Sequence, residues 1–296
     1  MGTSRRELIT GSVAMTLPLG VAAAGLAPAS QAYAERLGAK RPQDVDETIW
    51  MTWYDLPENR ADEYLAWLHG SYLPELLKRP GYNWAAHFKR IPYPAPEFAE
   101  YAARMQVQPK DAPKLGRGSQ YVLMVGATDL EPFLPAPSYD LRDAEPAAAK
   151  PMLSARQGVR SAVLRDALRG NGPAVTARPQ PGPPGPRIQL GSWQVFPDMT
   201  PETWKYYLSH RYPQFRDTQG GISARTLIGL VGWVHSAILY EFVSHEAHMG
   251  FLSKSEGPWI KRYMADPNMM QPTKISLHAP GSPMYADRIW ASSRAA

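Results

Sequence analysis

The feature that most constrains the fold of this chain is a pattern of mainly aromatic and proline residues that occurs twice, 140 residues apart. At this offset the two halves align without a gap through six pairs: Trp53/Trp193, Pro57/Pro197, Tyr64/Trp204, Trp67/Tyr207, Leu68/Leu208 and Tyr72/Tyr212. Similarity at a fixed spacing is the sequence signature of repeated structural units. The sequence therefore predicts two copies of one unit.

Each half has the same order of strand-like and helix-like segments. In the first half, β-branched and aromatic residues predict strands at 47–55, 83–91 and 119–127, composition predicts helices at 58–79 and 145–168, and 173–179 is a short fourth strand. In the second half the same reasoning predicts strands at 187–196, 222–233, 236–243 and 273–278, and helices at 200–216 and 245–263. The fold class is therefore α+β, with two ferredoxin-like βαββαβ repeats. The repeats span 46–178 and 187–279, a Pro/Gly linker spans 179–186, and 280–296 is a C-terminal tail.

Two segments resemble a known superfamily. The segment WLHGSYLPELLKRPGYNWAAHFKR (67–90) is similar to the helix-break-turn-strand segment of dimeric α/β-barrel proteins, both EthD-like and antibiotic-biosynthesis-monooxygenase-like. The segment ILYEFVSHEAHMGFLSKSEGP (238–258) resembles their third strand and second helix. This resemblance implies two four-stranded sheets that face each other around a barrel, formed by the two halves of one chain. Chlorite dismutases and dye-decolourising peroxidases, which bind haem, also carry two such units.

The N-terminus resembles a twin-arginine export signal. It has the residues SRRELI (4–9), an apolar run from 11 to 27, and a small-x-small cleavage site at 32–34. The run is too short for a typical membrane span and contains Pro18. We therefore expect residues 1–34 to be removed after contact with the twin-arginine export machinery. The mature protein is expected to be periplasmic or secreted, without a stable membrane anchor.

Composition and missing motifs exclude several kinds of site. The chain has no cysteine, which removes disulfides, thiolate metal sites and cysteine nucleophiles. Its net charge of +5 is mild and no basic run is interleaved with aromatics, so no nucleic-acid partner is expected. His245 and His248 have a spacing that suits a metal, but Ser244 before them is typical of an ordinary helix N-cap. We predict no metal site.

The helix break before Pro74 marks the predicted active site. Pro74 cannot continue the hydrogen bonding of the helix, so the break is expected to expose His69 and Tyr72 at the mouth of the barrel. His87 lies on the next strand, where it could point into the barrel. The predicted catalytic residues are therefore His87, Tyr72 and His69, which can transfer protons near neutral pH. The predicted substrate-binding residues are Trp53, Trp84, Tyr212 and His210.

The abundance of aromatic residues suggests the ligand. The chain has 9 Trp, 15 Tyr and 7 Phe, and about half of those on strands are expected to face the barrel interior, because strand side chains alternate. An apolar barrel cavity fits a small aromatic or quinone-like molecule. We predict an exported oxidoreductase or monooxygenase-like protein with no tightly held cofactor. Two alternatives stay open, namely a non-catalytic small-molecule binding protein and a haem enzyme of the chlorite dismutase-like type, and so does homo-oligomerisation.

Overall fold

The computed structural model describes residues 48–105, 115–134, 144–179, 181–195, 201, 205, 207–265 and 276–294. Its strands are β1 (Thr48–Asp55), β2 (Tyr82–Arg90), β3 (Tyr121–Ala127), β4 (Gln157–Asn171), β5 (Arg187–Val195), β6 (Gly221–Gly232), β7 (Ser236–Phe242), β8 (Ser276–His278) and β9 (Met284–Ser293). Its α-helices are α1 (Glu58–Trp67), α2 (Leu73–Leu77), α3 (Pro96–Met105), α4 (Lys150–Leu153), α5 (Tyr212–Arg216), α6 (His245–Phe251) and α7 (Gly257–Ala265).

The strands form a closed antiparallel barrel of eight strands. Their order is β7-β6-β4-β1-β3-β2-β9-β5, and β5 pairs with β7 to complete the circle, while the short β8 adds to β5. The first half contributes the order β4-β1-β3-β2 and the second half the order β8-β5-β7-β6. The α+β class predicted from the sequence is confirmed at this level, and the internal duplication stays a prediction.

The inside of the barrel is a packed apolar core. Along β1, Ile49, Met51 and Trp53 point inward and contribute to this core, whereas the residues between them face outward. Trp53 and Trp84 are only 1% and 0% exposed and pack against the other inward-facing residues. An eight-stranded barrel is just wide enough for side chains to fill it. The prediction of an apolar substrate cavity inside the barrel is therefore wrong, because these tryptophans occupy that space.

Helices cover the outer face of the barrel, and prolines widen three of their turns. The predicted helix 58–79 is divided into α1, a π-helical turn at Leu68–Tyr72, and α2, in which Pro74 is the second residue. Proline has no N–H, and its ring would clash with the carbonyl four residues earlier. The wider turn accommodates this, and the Leu73 N–H bonds to the Leu68 carbonyl. The same arrangement recurs at Tyr207–Arg211 before Pro213 and at Leu252–Glu256 before Pro258.

Three predicted segments differ in the structure. The prediction of one helix at 145–168 is wrong, because its second half, from residue 157 onward, belongs to the long strand β4, which pairs with β1 on one side and with β6 on the other. These two ladders outweigh the helical propensity of an alanine-rich segment. The strand predicted at 173–179 is also wrong, because it contains a short 3₁₀ turn at Val175–Ala177.

The tail predicted at 280–296 is wrong as well. Its residues form β9, which pairs with β2 of the first half and β5 of the second. The interval between the predicted strands 83–91 and 119–127 contains α3, whose Phe98 and Tyr101 join the core of the second half. Both segments therefore connect the two halves.

The predicted export signal at 1–34 lies outside the described residues. Within the part of the chain that the structure describes, no helix is long and apolar enough to cross a membrane.

Candidate functional site

The candidate site lies between the first four-stranded half of the barrel and the helices that cover it. Tyr64, Leu68 and Tyr72 form the buried stripe of α1 and the π-helical turn. They pack on the outward-facing residues of β1, among them Trp50 and Tyr54. Helical spacing places the three residues of the helix on one face, and alternation along β1 places Trp50 and Tyr54 on the face of the sheet that meets it.

His87 lies in this helix-covered layer. Its neighbours Trp84, Ala86 and Phe88 belong to the core inside the barrel, so His87 points the opposite way, and it is 0% exposed. The prediction that His87 points into the barrel is therefore wrong. The alternation of side chains along β2 predicted that His87 lies on the opposite face from Trp84, Ala86 and Phe88. It could not show which of the two faces lies inside the barrel.

Two hydrogen bonds join His69, His87 and Tyr54 into a chain. The Nε2 atom of His69 lies 2.8 Å from Nδ1 of His87, and Nε2 of His87 lies 2.8 Å from the Tyr54 hydroxyl oxygen. A neutral imidazole has one donor and one acceptor nitrogen, so the chain has two arrangements of its hydrogens. Changing from one arrangement to the other moves a proton from end to end. The chain can therefore act as a proton relay in which His87 is neutral before and after the transfer.

The outer end of the relay is His69, which is half-buried on the π-helical turn. Its ring stacks on Trp290 of β9, with the centroids 5.5 Å apart and the planes at 7°. Burial lowers the pKa of His69 below its usual value of 6.5. Burial, and then the charges of His69 and Arg156, lower the pKa of His87 further. Sequence reasoning missed Trp290 because it lies in the predicted tail.

The inner end of the relay meets a buried cation. Burial raises the pKa of Tyr54 above its usual value, and the guanidinium of Arg156 lies 4.7 Å from the centre of the Tyr54 ring. Arg156 donates from Nε to the Tyr64 hydroxyl at 2.5 Å and pairs through Nη1 with Glu145 at 3.3 Å. Only 4% of its side chain is exposed. Arg156 was missed because it lay in the segment predicted as a helix.

A small cavity of about 10 Å³ lies beside this cation. Its walls include Trp50 and Thr52 from β1, Tyr72 and Leu76 from the helical side, and the partly buried residues Glu145 and Arg156. This volume has room for about one water molecule.

The structure brings together two of the three predicted catalytic residues. His69 and His87 are hydrogen-bonded, but the tyrosine that bonds His87 is Tyr54, where the sequence predicted Tyr72. Tyr72 instead borders the cavity and stacks on Trp67 at 5.0 Å. Burial raises the pKa of Tyr72 above its usual value, so its hydroxyl stays protonated.

The four predicted substrate-binding residues lie elsewhere. Trp53 and Trp84 are inside the barrel, on the opposite face of the sheet from His87. Tyr212 is buried in the core of the second half, where its hydroxyl donates to the Leu168 carbonyl at 3.1 Å. His210 is exposed, with Nδ1 bonded to Ser209 Oγ at 2.7 Å. They do not form one site with His69 and His87.

The histidines of this site do not fit a haem. Both ring nitrogens of His87 are hydrogen-bonded at 2.8 Å, so ligation of an iron would break the relay. In the second half, His245 bonds Arg187, and Nε2 of His248 lies 3.2 Å from Gln189 Oε1. Among the described residues, no group of three or more His, Cys, Asp or Glu is arranged to hold a metal ion.

Comparison with known proteins shows a shared fold. An anthrone oxidase-like protein superposes with a TM-score of 0.50 at 9% identity, over 86% of this chain and 95% of that chain. A provisionally assigned monooxygenase from Fusobacterium nucleatum has a TM-score of 0.47 at 8% identity, with coverage of 84% and 95%. A provisionally assigned chlorite dismutase has a TM-score of 0.48 at 11% identity, with coverage of 82% and 94%. Neither a protein-family model nor a curated protein matches the sequence.

Proposed function

We propose that the layer between the first half of the barrel and α1–α2 is the active site of an oxidoreductase that acts on a small hydroxylated aromatic compound. The observation that carries this proposal is the relay from half-buried His69 through His87 to buried Tyr54. A purely structural core has little use for two coupled imidazoles that join solvent to a buried phenol. The name of one similar structure, anthrone oxidase-like, fits this substrate class.

The chain's own residues supply proton transfer and charge stabilisation. The substrate loses a proton to the Tyr54 oxygen while Tyr54 passes its own proton to Nε2 of His87. Nδ1 of His87 then passes a proton to Nε2 of His69, and His69 releases a proton from its other ring nitrogen to solvent. Arg156 stabilises the substrate anion that remains, in a site shielded from water.

Dioxygen is the oxidant in this proposal. For a substrate with an activated CH₂ group, the deprotonated carbon gives its electrons to dioxygen and forms a C–O bond, and the resulting hydroperoxide loses water. The balance is R₂CH₂ + O₂ → R₂C=O + H₂O. An aromatic ring needs far more room than the present 10 Å³, since ligand pockets are typically several hundred Å³. The site must therefore open when the substrate binds.

Oxygen consumption with anthrone and with substituted hydroquinones tests this function. We expect the wild-type protein to consume oxygen with one of these compounds, and His69→Gln to reduce the rate at least 100-fold, the usual scale of general-base catalysis. His235→Gln is the control, because His235 is exposed in the turn between β6 and β7. Equal rates in wild type and His69→Gln would contradict the proposed role of the relay.

The two alternatives predict different results. A non-catalytic binding protein would bind these compounds without oxygen consumption. A haem enzyme would show a Soret band when purified, and the occupied nitrogens of His87 argue against this alternative. We further propose, from the residues SRRELI at 4–9, that the protein works after twin-arginine export, and from the offset of 140 residues that its halves are internal repeats.

A further inference from the structure

Two residues that border the same small cavity each carry a buried donor without a partner among the described residues. Trp50 and Arg156 both line the cavity of about 10 Å³. Within the described residues, the Trp50 Nε1 and Arg156 Nη2 atoms are buried and have no hydrogen-bond partner. Native proteins satisfy most buried donors, so a pair of unsatisfied donors beside one cavity calls for an explanation.

The geometry points to an oxyanion subsite in which Trp50 Nε1 and Arg156 Nη2 donate to the phenolate oxygen of an aromatic ligand. This inference rests on the proposed function and names the group that the site recognises. The cavity is the size of one water molecule, and so of one oxygen atom. The other wall residues are mainly apolar, among them Leu123 and Val125, and in such surroundings a charge-assisted hydrogen bond is strong.

The remaining nitrogens of Arg156 are already used, which leaves Nη2 for the ligand. Nε donates to Tyr64 and Nη1 pairs with Glu145, so the guanidinium is held in place from two sides. Such a fixed cation loses little freedom when an anion binds to it.

Glu145 tunes the affinity of this subsite. Among the described residues that line the cavity, it is the one with an acidic side chain, and 20% of that side chain is exposed. An incoming anion meets repulsion from Glu145 unless the carboxyl takes up a proton, and burial already raises its pKa above the usual value. Removing this charge should therefore tighten anion binding.

The ring that carries the oxygen must displace side chains on the helical side. The strand residues of the wall are held in the barrel by ladders on both sides of β1. Tyr72 instead ends the π-helical turn and Leu76 lies on α2, so both belong to the segment 68–77 that follows α1. That segment is the wall that can give way.

The test measures binding of 4-nitrophenol, whose phenolate is coloured, to the full-length mature protein. Below the ordinary pKa of this phenol, added protein should increase the phenolate absorbance, because the subsite binds only the ionised form tightly. Trp50→Phe should weaken binding about tenfold, the loss expected for a hydrogen bond to a charged group. Glu145→Gln should strengthen binding several-fold.

Trp84→Phe is the matched control. Trp84 Nε1 is also buried and unpartnered among the described residues, but Trp84 lies inside the barrel and does not border this cavity. The Trp84→Phe variant should bind the phenolate with the same affinity as the wild-type protein. Equal weakening by both substitutions, or none by Trp50→Phe, would overturn the subsite.

A second measurement does not depend on the folding of any variant. In the ¹⁵N spectrum of the wild-type protein, the indole N–H signal of Trp50 should move on addition of 4-nitrophenolate, and that of Trp84 should not. If formate at equal concentration displaces the phenolate, the site recognises small oxyanions in general and the phenolate assignment is wrong. Phenolate binding at Trp50 without oxygen consumption by any substrate would refute the proposed function and leave the subsite standing.

Discussion

The hydrogen bond between Tyr54 and His87 can be tested by removing one oxygen atom. Tyr54→Phe deletes the hydroxyl that lies 2.8 Å from Nε2 of His87, while both residues are 0% exposed. The ring contacts of Tyr54 with Tyr64 and Tyr121, at 5.9 and 5.7 Å, do not involve that oxygen. The substitution therefore leaves the ring packing in place and removes only interactions of the hydroxyl, with His87 and with Tyr64.

The expected loss of stability comes from the polar group that is left without a hydrogen-bond partner. A buried ring nitrogen of His87 loses its partner, which costs about 1–3 kcal/mol of unfolding free energy. His87→Leu leaves the Tyr54 hydroxyl unpartnered and has a cost of the same order. In the double variant neither the Tyr54 hydroxyl nor the His87 ring remains. Its loss of unfolding free energy should therefore be smaller than the sum of the two single losses by about 1 kcal/mol or more.

Urea unfolding of the four proteins, followed by tryptophan fluorescence, measures this coupling. Tyr121→Phe is the control, since its ring lies 5.2 Å from that of His87 but both nitrogens of His87 are bonded elsewhere. The coupling free energy between Tyr121→Phe and His87→Leu should be smaller than that between Tyr54→Phe and His87→Leu. If Tyr54→Phe changes the unfolding free energy by less than about 0.5 kcal/mol and shows no coupling, the relay described above does not exist.

Three further predictions concern pH and export. Burial lowers the pKa of His248 from 6.5 to about 3, so the stability it contributes is present above pH 6.5 and is lost as the pH falls towards 3. His248→Gln should reduce the slope of stability against pH in this window by about 1.4 kcal/mol per pH unit, and an unchanged slope in urea titrations would contradict the burial argument. Trp290→Ala should raise the pKa of His69 towards 6.5 by exposing it to water, which NMR titration can measure, and a lower pKa would show that stacking on Trp290 stabilises the charged ring. Replacing Arg5 and Arg6 together by Lys should block export in a reporter fusion, and continued transport would exclude the twin-arginine route.

Patterns within a few neighbouring residues predicted much of the fold. Runs of β-branched and aromatic residues located β1, β2, β3, β5, β6 and β7 to within a few residues at each end. Pro74 predicted where the first helix breaks, because the missing N–H acts within one turn of the residue itself. Residues 145–168 show the limit of this reasoning. Alanine-rich composition favours a helix, but β4 pairs with strands that lie more than 50 residues away on either side in the sequence.

The candidate site was only partly predictable, for the same reason. The sequence by itself determined that His69 and His87 lie on adjoining elements and that His87 opposes Trp84, because both facts depend on spacing along the chain. Tertiary structure alone decided which face of the sheet is inside the barrel, and so that Tyr54 rather than Tyr72 bonds His87. It also brought Arg156 and Trp290 to the site from segments predicted as a helix and a tail. Burial and strand pairing are properties of the closed barrel, and no local pattern of residues carries that information.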